Sequence, residues 1–309
     1  KYYTPEECFT FDSANGSITA YDETKAGCTT DVVIPYEIIP ESSTTPVIVR
    51  KIGRNAFRNT EITSVEFPRS VTIIGNMAFQ LNPMLGKVIF RDGLISIGGN
   101  SFIADHSTPI EYGTLSFIML PETLQTISGS SFANNSLKQV IIPNSVTKLL
   151  GGAFKNNMIE NYIIGTGITE LLSGLFTNNE IKHAIIPDHI TSISGAFTNN
   201  PIEKITIGKG LTTIGILSFA NDSVCIDNLN NRECYNGKNF LTEVYIPNNI
   251  ISIGGSAFKS TTSDVIIRTE RTKEDFLANV TAPQYGYNNG GAWHGGAKVI
   301  SSDGLLIYE

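Results

Sequence analysis

The side chains best suited to acid–base, nucleophilic or metal chemistry are few and scattered along this sequence. The chain contains four histidines, which are His106, His183, His189 and His294. None of them lies in a metal or nucleophile motif such as H-E-x-x-H or G-x-S-x-G. The acidic pairs Glu6-Glu7 and Glu274-Asp275 stand near opposite ends of the chain, where they suit solvent or the first turn of a helix. The sequence therefore predicts a protein that is not an enzyme and that has no metal site and no cofactor.

The four cysteines fall into two groups that are local in sequence, Cys8 with Cys28 and Cys225 with Cys234. No C-x-x-C spacing indicates a zinc site. The simplest interpretation is two disulfides, Cys8–Cys28 and Cys225–Cys234, which favour an oxidising, extracellular setting. The alternative is four free thiols, since an even number of cysteines also arises by accident.

Composition describes a folded protein that is slightly acidic. It has 22 Lys and Arg against 29 Asp and Glu, a formal charge of −7, which opposes the positive footprint that nucleic acids require. Hydrophobic residues make up 41% of the chain, yet no apolar run approaches the length that crosses a bilayer. Because the sequence opens at Lys1 without an initiator Met, we expect that a targeting segment has been removed.

A phenylalanine preceded by Ala, Ser or Leu recurs through most of the chain, usually at steps of 21 to 23 residues. Its positions are Phe57, Phe79, Phe102, Phe132, Phe154, Phe176, Phe197, Phe219 and Phe258. The two longer steps contain insertions near residues 103–114 and 221–240, after which the pattern resumes in phase. A repeat of this length indicates a solenoid, in which insertions emerge as loops.

Each repeat contains two hydrophobic patterns that predict different elements. Segments such as Tyr162-Ile163-Ile164 are β-branched and aromatic and stop at Pro or Gly, as short strands do. The Ile-Gly-x-x-Ala-Phe stretch predicts a single helical or 3-10 turn. One unit is too small to bury both faces, so neighbouring units must stack. The predicted fold class is therefore an α/β repeat, a curved solenoid with a parallel sheet on one face, short helical or 3-10 turns opposite and a buried phenylalanine column.

Asparagines follow most of the repeated phenylalanines, as in Asn134-Asn135, Asn156-Asn157 and Asn199-Asn200. Their side chains suit hydrogen bonds to backbone groups that a tight turn leaves unpaired. We therefore interpret this polar ladder as structural rather than catalytic.

The motif Ile-Gly-x-x-Ala-Phe…Leu-x-x-Val-x-Ile-Pro-x-x-Val, together with the opening segments 9–21 and 31–35, resembles the BspA-type (Treponema-type) leucine-rich repeat family. The resemblance spans residues 9–267 and recurs nine times in register. It implies a right-handed solenoid on a bacterial surface, with members linked to adhesion to host matrix proteins or other cells. No site residues follow from it, because the shared motif is the scaffold.

Three regions are expected along the chain. Residues 1–50 form an N-terminal cap and first strand, with Asn15-Gly16 as the two-residue turn of a hairpin. Residues 51–268 form about nine repeat units. Residues 269–309 form a C-terminal cap, with a helix that begins at an N-cap Thr272 and a closing hairpin.

The strand pattern also predicts a partner-binding face. In Val-x-Ile segments the outer residues point inward, so the middle residue faces out from the sheet. The residues of that outward column are apolar from Ile89 to Ile185. The last residue expected in the column is Ile266. The predicted partner-binding residues are Ile89, Phe117, Met119, Ile141, Ile163, His183, Ile185 and Tyr245. The alternative to a binding face is that these isoleucines only stabilise the sheet, whether or not a partner binds them.

Function is expected to be that of a non-catalytic binding scaffold, secreted or on a bacterial cell surface. Its partner is expected to be a protein, such as a host or matrix protein, or a second copy of the chain. One alternative is a carbohydrate platform built from Tyr285, Tyr287 and Trp293, although packing of the cap is the favoured interpretation of these aromatics. A second alternative is a structural component of a larger surface assembly.

Overall fold

The computed structural model consists of short strands that stack repeat upon repeat. It describes residues 3–41, 43–104, 115–221, 240–259, 265–282, 292, 294 and 297–308, and the backbone alone over 224–228 and 231–235. Packing divides the chain into two compact units, Lys1–Gly167 and Ile168–Glu309. We call these the N-terminal unit and the C-terminal unit and describe each by itself.

The N-terminal unit begins with a 3-10 helix, Glu6–Cys8, and continues in strands. Its strands are β1 (Phe9–Asp12), β2 (Ser17–Tyr21), β3 (Asp31–Val33), β4 (Glu37–Ile38), β5 (Val47–Ile48), β6 (Lys51–Ile52), β7 (Ser64–Glu66), β8 (Ile73–Ile74), β9 (Lys87–Ile89), β10 (Ser96–Ile97), β11 (Thr126–Ile127), β12 (Gln139–Ile142), β13 (Lys148–Leu149) and β14 (Asn161–Ile164).

Two parallel arrangements run through this unit. The longer strands form a three-stranded sheet, β3-β7-β9, and a separate pair, β12-β14, which we together call the first sheet. The second sheet runs in the order β1-β2-β6-β8-β10-β11-β13 and is built mostly from two-residue strands. Most repeats therefore contribute one strand to each sheet, about 22 residues after the previous repeat. The repeat that contains β11 contributes only to the second sheet, because residues 115–120 form no strand. The parallel sheet and the leucine-rich repeat fold confirm the predicted class.

Alternation along the first sheet sets which side chains are inside. Val65 and Val88 lie side by side in register and are buried. Val140 and Ile142, both in β12, are buried as well. Residues between them point outward, because successive side chains in a strand face opposite sides. The apolar inner positions thus fix both the strand and its register.

The repeated phenylalanines form a buried column in the N-terminal unit. Ring centroids of Phe57 and Phe79 lie 4.7 Å apart, those of Phe79 and Phe102 5.0 Å, and those of Phe132 and Phe154 5.6 Å, all nearly parallel. Such offset stacks add attraction beyond the burial of apolar area. The prediction of one continuous phenylalanine core is confirmed within this unit.

The turn that contains each phenylalanine is not helical, so that part of the prediction is wrong. Met77 has φ of 58° and Ser130 has φ of 56°, values that right-handed helical turns exclude. The backbone N–H groups also point to the next repeat: Phe79 N donates to the Ser101 carbonyl at 2.8 Å. These bonds between repeats alternate with i to i−3 bonds inside the turn, such as Ala78 N to the Gly75 carbonyl at 3.3 Å, and the i to i−4 bonds of an α-helix are not formed in the described turns. Among the described residues, the helical segments are the 3-10 helix Glu6–Cys8 and one α-helix, Lys273–Asn279.

An asparagine ladder supports these turns, as predicted. Asn157 is buried, and its Nδ2 donates to the carbonyls of Phe132 at 2.9 Å and Phe154 at 3.1 Å. Its Oδ1 accepts from Leu137 N at 3.1 Å. The preceding Asn156 has φ of 56°, a left-handed conformation that asparagine tolerates better than most residues. The two asparagines of each pair therefore have different structural roles.

The N-terminal end of the first sheet is closed by the segment before β1. Thr4 N donates to the Val33 carbonyl at 3.0 Å, and Val33 N donates to the Thr4 hydroxyl at 2.9 Å. The predicted disulfide between Cys8 and Cys28 is present. The hairpin β1-β2 is present too, but its turn spans residues 13–16 rather than two residues. The reason is that the Asp12 carboxylate binds Ala14 N at 3.1 Å and so starts the turn early.

The C-terminal unit repeats the same plan. Its strands are β15 (Glu170–Leu171), β16 (His183–Ile186), β17 (Ser192–Ile193), β18 (Lys204–Ile207), β19 (Thr213–Ile214), β20 (Val224–Asn228), β21 (Asn231–Tyr235), β22 (Glu243–Ile246), β23 (Ser252–Ile253), β24 (Ile266–Thr269), β25 (Lys298–Ile300) and β26 (Leu306–Tyr308). The longer strands form the pair β16-β18 and the sheet β22-β24-β25-β26, and the short strands form the sheet β15-β17-β19-β23. Its phenylalanines stack from Phe176 through Phe197 and Phe219 to Phe258, with steps of 5.7, 5.8 and 5.5 Å.

The C-terminal end of this unit carries α1 (Lys273–Asn279) and an antiparallel last strand. The Thr272 hydroxyl accepts from Asp275 N at 3.2 Å and caps α1. The Lys273 ammonium donates to the Leu306 carbonyl of β26 at 2.7 Å. His294 stacks on Tyr308 at 5.6 Å, and burial lowers the pKa of its imidazole. Over the described ranges, no helix combines the length and apolar character needed to span a membrane.

The asparagine ladder yields a stability prediction. Changing Asn157 to Leu keeps the side-chain size but leaves buried N–H and carbonyl groups without partners. We expect the free energy of unfolding to fall by at least about 2 kcal/mol, measured by urea denaturation. The same substitution at the exposed Asn161 is the matched control and should change stability by less than about 0.5 kcal/mol. Equal effects at both positions would contradict a structural role for the ladder.

Candidate functional site

The outward face of the first sheet in the N-terminal unit carries a cluster of exposed apolar side chains. Met119 is 71% exposed, Ile163 60%, Ile141 58% and Phe117 52%. We call these four residues the apolar patch. Among the predicted binding residues, they are the ones in this unit that are more than half exposed.

Inward-facing neighbours hold the patch in place. Ile141 lies between the buried Val140 and Ile142, and β12 pairs with β14 so that Ile141 is directly beside Ile163. Residues 117–119 are not in a strand, but the buried Ile118 keeps the same alternation and turns Phe117 and Met119 outward. Paired strands lie about 4.8 Å apart, so Ile141 and Ile163 are neighbours. Met119 stands 22 residues before Ile141, at the matching position of the preceding repeat.

Uncharged polar side chains border the apolar patch on one side. Gln139 and Asn161 are exposed and occupy the outward position two residues before Ile141 and Ile163. Ile89, which was predicted as part of the strip, is only partly exposed and lies in register beside Glu66. At the edge of the same sheet, hydrogen bonds from the Ser64 and Thr63 hydroxyls lower the pKa of Asp31.

The C-terminal unit presents a different face on its longer strands. Ile185 and Tyr245 are about half exposed there. His183 is partly buried, and its Nε2 lies 2.8 Å from the Thr206 hydroxyl. Charged side chains interleave with these residues, including an ion pair between Arg268 and Glu243. This unit therefore offers a mixed aromatic and charged surface.

The register at the end of this sheet corrects one position of the predicted column. Tyr245 pairs with Arg268, and Glu243 pairs with Ile266. Ile266 was expected in the outward column beside Tyr245 but lies two residues away from that place. Val265 and Ile267 are both buried, so Val265-Ile266-Ile267 fits the Val-x-Ile strand pattern. The strand that pairs with β22 begins one residue later, at Ile266, and the pattern alone does not distinguish the two registers. The column ends on a charge rather than on an apolar residue.

Some predicted sites lie outside the described residues. Tyr285, Tyr287 and Trp293, the carbohydrate platform of the alternative hypothesis, are among them, and so is His106. The side chains of Cys225 and Cys234 are also outside the described part, but the backbone of β20 and β21 places the two residues directly opposite each other. Within the described residues, no three His, Cys, Asp or Glu side chains are grouped as a metal site would require.

A small cavity on the first sheet was not predicted from sequence. It measures about 150 Å³ and is lined by Tyr3, Val33, Glu66, Pro68, Arg69 and Arg91, among others. The Arg91 Nη2 donates to the Glu66 Oε1 at 2.7 Å. Its sequence signal is a departure from the repeat: Arg91 follows β9 where Pro35, Pro121 and Pro143 follow their strands.

Comparison with protein families decides the identity of the scaffold. The model of the BspA type leucine rich repeat region matches in six copies, over residues 40–116, 110–225 and 228–275. The chain belongs to this family. The resemblance of the Ile-Gly-x-x-Ala-Phe motif is thereby confirmed.

Solved structures similar to this BspA-type chain include leucine-rich repeat proteins. A protein from Bacteroides ovatus matches with a TM-score of 0.69 at 21% identity, over 95% of this chain and 69% of that chain. A Treponema pallidum protein, TpLRR, matches with a TM-score of 0.46 at 21% identity, over 66% of this chain and 86% of that chain. The pneumococcal vaccine antigen PcpA matches with a TM-score of 0.42 at 16% identity, over 85% and 91%. No curated protein matches the chain in sequence.

The register of β20 and β21 generates a prediction about the second cysteine pair. We expect Cys225 and Cys234 to be disulfide-bonded in protein folded under oxidising conditions, because directly opposed strand residues are close enough to be bridged. Peptide mapping by mass spectrometry without reduction should recover the 225–234 cross-link, with the Cys8–Cys28 cross-link as internal control. Alkylation of Cys225 and Cys234 in unreduced protein would contradict it.

Proposed function

We propose that this BspA-type protein is a non-catalytic binding scaffold, on the cell surface or secreted, that binds a protein partner through the apolar patch. The observation that carries the proposal is four apolar side chains on three successive repeats, each more than half exposed. Soluble monomers seldom expose contiguous apolar patches beyond roughly 300–600 Å², and patches in this range are often functional.

Strand propensity alone does not account for the patch. β-Branched Ile141 and Ile163 stabilise a strand whether or not they bind anything. Met119 is unbranched, lies outside an assigned strand and is the most exposed of the four. A polarisable, flexible methionine at the surface suits an adaptable contact with a partner.

A surface or secreted location is supported by chemistry as well as by the family. The disulfide Cys8–Cys28 suits an oxidising compartment, since cytosolic thiols are kept reduced. Adhesion to a host or matrix protein agrees with a patch that is apolar at its centre and bordered by the uncharged Gln139 and Asn161.

The test is a double substitution of Ile141 and Ile163 to Asp. The wild-type chain and the variant are compared for binding to a panel of immobilised extracellular-matrix proteins, and to the chain itself, by surface plasmon resonance. We expect any specific association of the wild type to weaken by about a hundredfold or more, because two apolar contacts are lost and two charges must be desolvated. Circular dichroism should show an unchanged fold, since both side chains point outward.

The matched control places the same two charges on the second sheet. Ile73 lies in β8 and Ile95 immediately precedes β10, both in the same unit, and each is 40% exposed. Their double change to Asp should leave binding within about twofold of the wild type. Equal loss in both variants, or unchanged binding in the patch variant, would overturn the proposal.

A further inference from the structure

The cavity on the first sheet combines a small volume with an excess of positive charge. Its 150 Å³ holds a group of about six non-hydrogen atoms, the size of a benzene ring. Two guanidinium groups, Arg69 and Arg91, line it together with one carboxylate, Glu66. The cavity therefore has one surplus positive charge on a chain whose formal charge is −7.

The two arginines differ in their surroundings. Arg91 is fixed by Glu66, whose side chain is only 14% exposed. Arg69 is exposed, and among the described side chains no acidic group lies within ion-pair distance of it. Its backbone is held by a close approach to Gly93, where a Cβ would lie 2.2 Å from the Arg69 carbonyl oxygen. Arg69 thus presents unused donors beside an arginine that is already positioned.

The order of the repeats relates the cavity to the apolar patch. Glu66 occupies the outward column and pairs in register with Ile89, the residue that precedes the patch in that column. Glu66 interrupts a column that is otherwise apolar up to Ile163, and Arg91 replaces the Pro of other repeats. Neither departure is required by the buried core, because both side chains lie on the outer face.

We propose that Arg69 and Arg91 bind a carboxylate of the partner polypeptide and so anchor one end of it beside the apolar patch. This inference rests on the proposed function, since it takes the ligand to be a polypeptide. The planar guanidinium presents paired donors that match a carboxylate, and such charge-assisted bonds are the stronger class of hydrogen bond. Tyr3, Val33 and Pro68 provide the remaining wall for a small aliphatic or backbone portion.

The experiment uses short capped peptides as probes on the full chain. The acid probe is N-acetyl-Ile-Ile-Ala with a free carboxylate, and its partner is the same peptide with a C-terminal amide. A third probe, N-acetyl-Ile-Ile-Glu amide, carries its carboxylate on a side chain, and glucuronic acid represents an acidic sugar. Affinities are measured by isothermal titration calorimetry at low ionic strength, where exposed charge interactions are least screened.

Two variants and a control assign the effect to the cavity. We expect at least one peptide carboxylate to bind about tenfold more tightly than the amide probe. Arg69→Gln should remove that preference while leaving the fold intact, because its side chain is exposed. Arg91→Gln should also remove it. Arg58→Gln changes an exposed arginine that does not line the cavity, and it should retain the full preference.

The outcomes separate this inference from the proposed function. Equal affinity for acid and amide peptides, or a preference that survives Arg69→Gln, would refute the carboxylate site and leave the apolar patch standing. A preference for glucuronic acid alone would refute the polypeptide assignment. An arginine-dependent peptide preference, together with unchanged matrix-protein binding in the Ile141 and Ile163 variant, would retain the carboxylate site and refute the proposed function.

Discussion

The backbone of each repeat depends on the next repeat for its hydrogen bonds. Phe79 N bonds to Ser101, and Phe102 N bonds to Ser131, both at 2.8 Å. In the same way, Asn157 of one repeat satisfies carbonyls of its own and of the preceding turn. Buried N–H and carbonyl groups are costly to leave unpaired, so a single repeat has no stable fold by itself. The spacing of about 22 residues is the length of chain that brings one turn into register with the next.

This dependence divides the residues into two classes. Inward positions such as Val140 and Phe154 must be apolar and of the right size, and they scarcely vary in character from repeat to repeat. Outward positions are free of that demand. They differ accordingly: the N-terminal unit shows the apolar patch and an arginine-lined cavity, whereas the C-terminal unit shows Tyr245 with charged neighbours. Chemistry that distinguishes one member of the family from another belongs at these outward positions.

Sequence predicted the longer strands and the phenylalanine core, and it missed the shortest strands, the shape of the phenylalanine turn and the cavity. Strand alternation identified the longer strands, and the phenylalanine period identified the core column. The second sheet was missed because its two-residue strands are shorter than any periodic signal. The phenylalanine turn was taken as helical because Ile and Phe at that spacing suit a helical face, while left-handed residues such as Met77 leave no clear sequence mark. The cavity was missed because Arg69 and Arg91 come from different repeats, 22 residues apart in a chain, and meet only through stacking.

The pairing of Thr4 with β3 bears on how the protein associates with others. An open strand edge is a template onto which another chain adds. Here Thr4 is hydrogen-bonded to both the backbone N–H and the carbonyl of Val33 in β3. In the C-terminal unit, Lys273 donates to the Leu306 carbonyl of the last strand, β26. Each terminal strand thus has polar groups already engaged by the protein itself. Addition of a strand from another chain, which would extend the sheet into a fibre, is therefore hindered at these points.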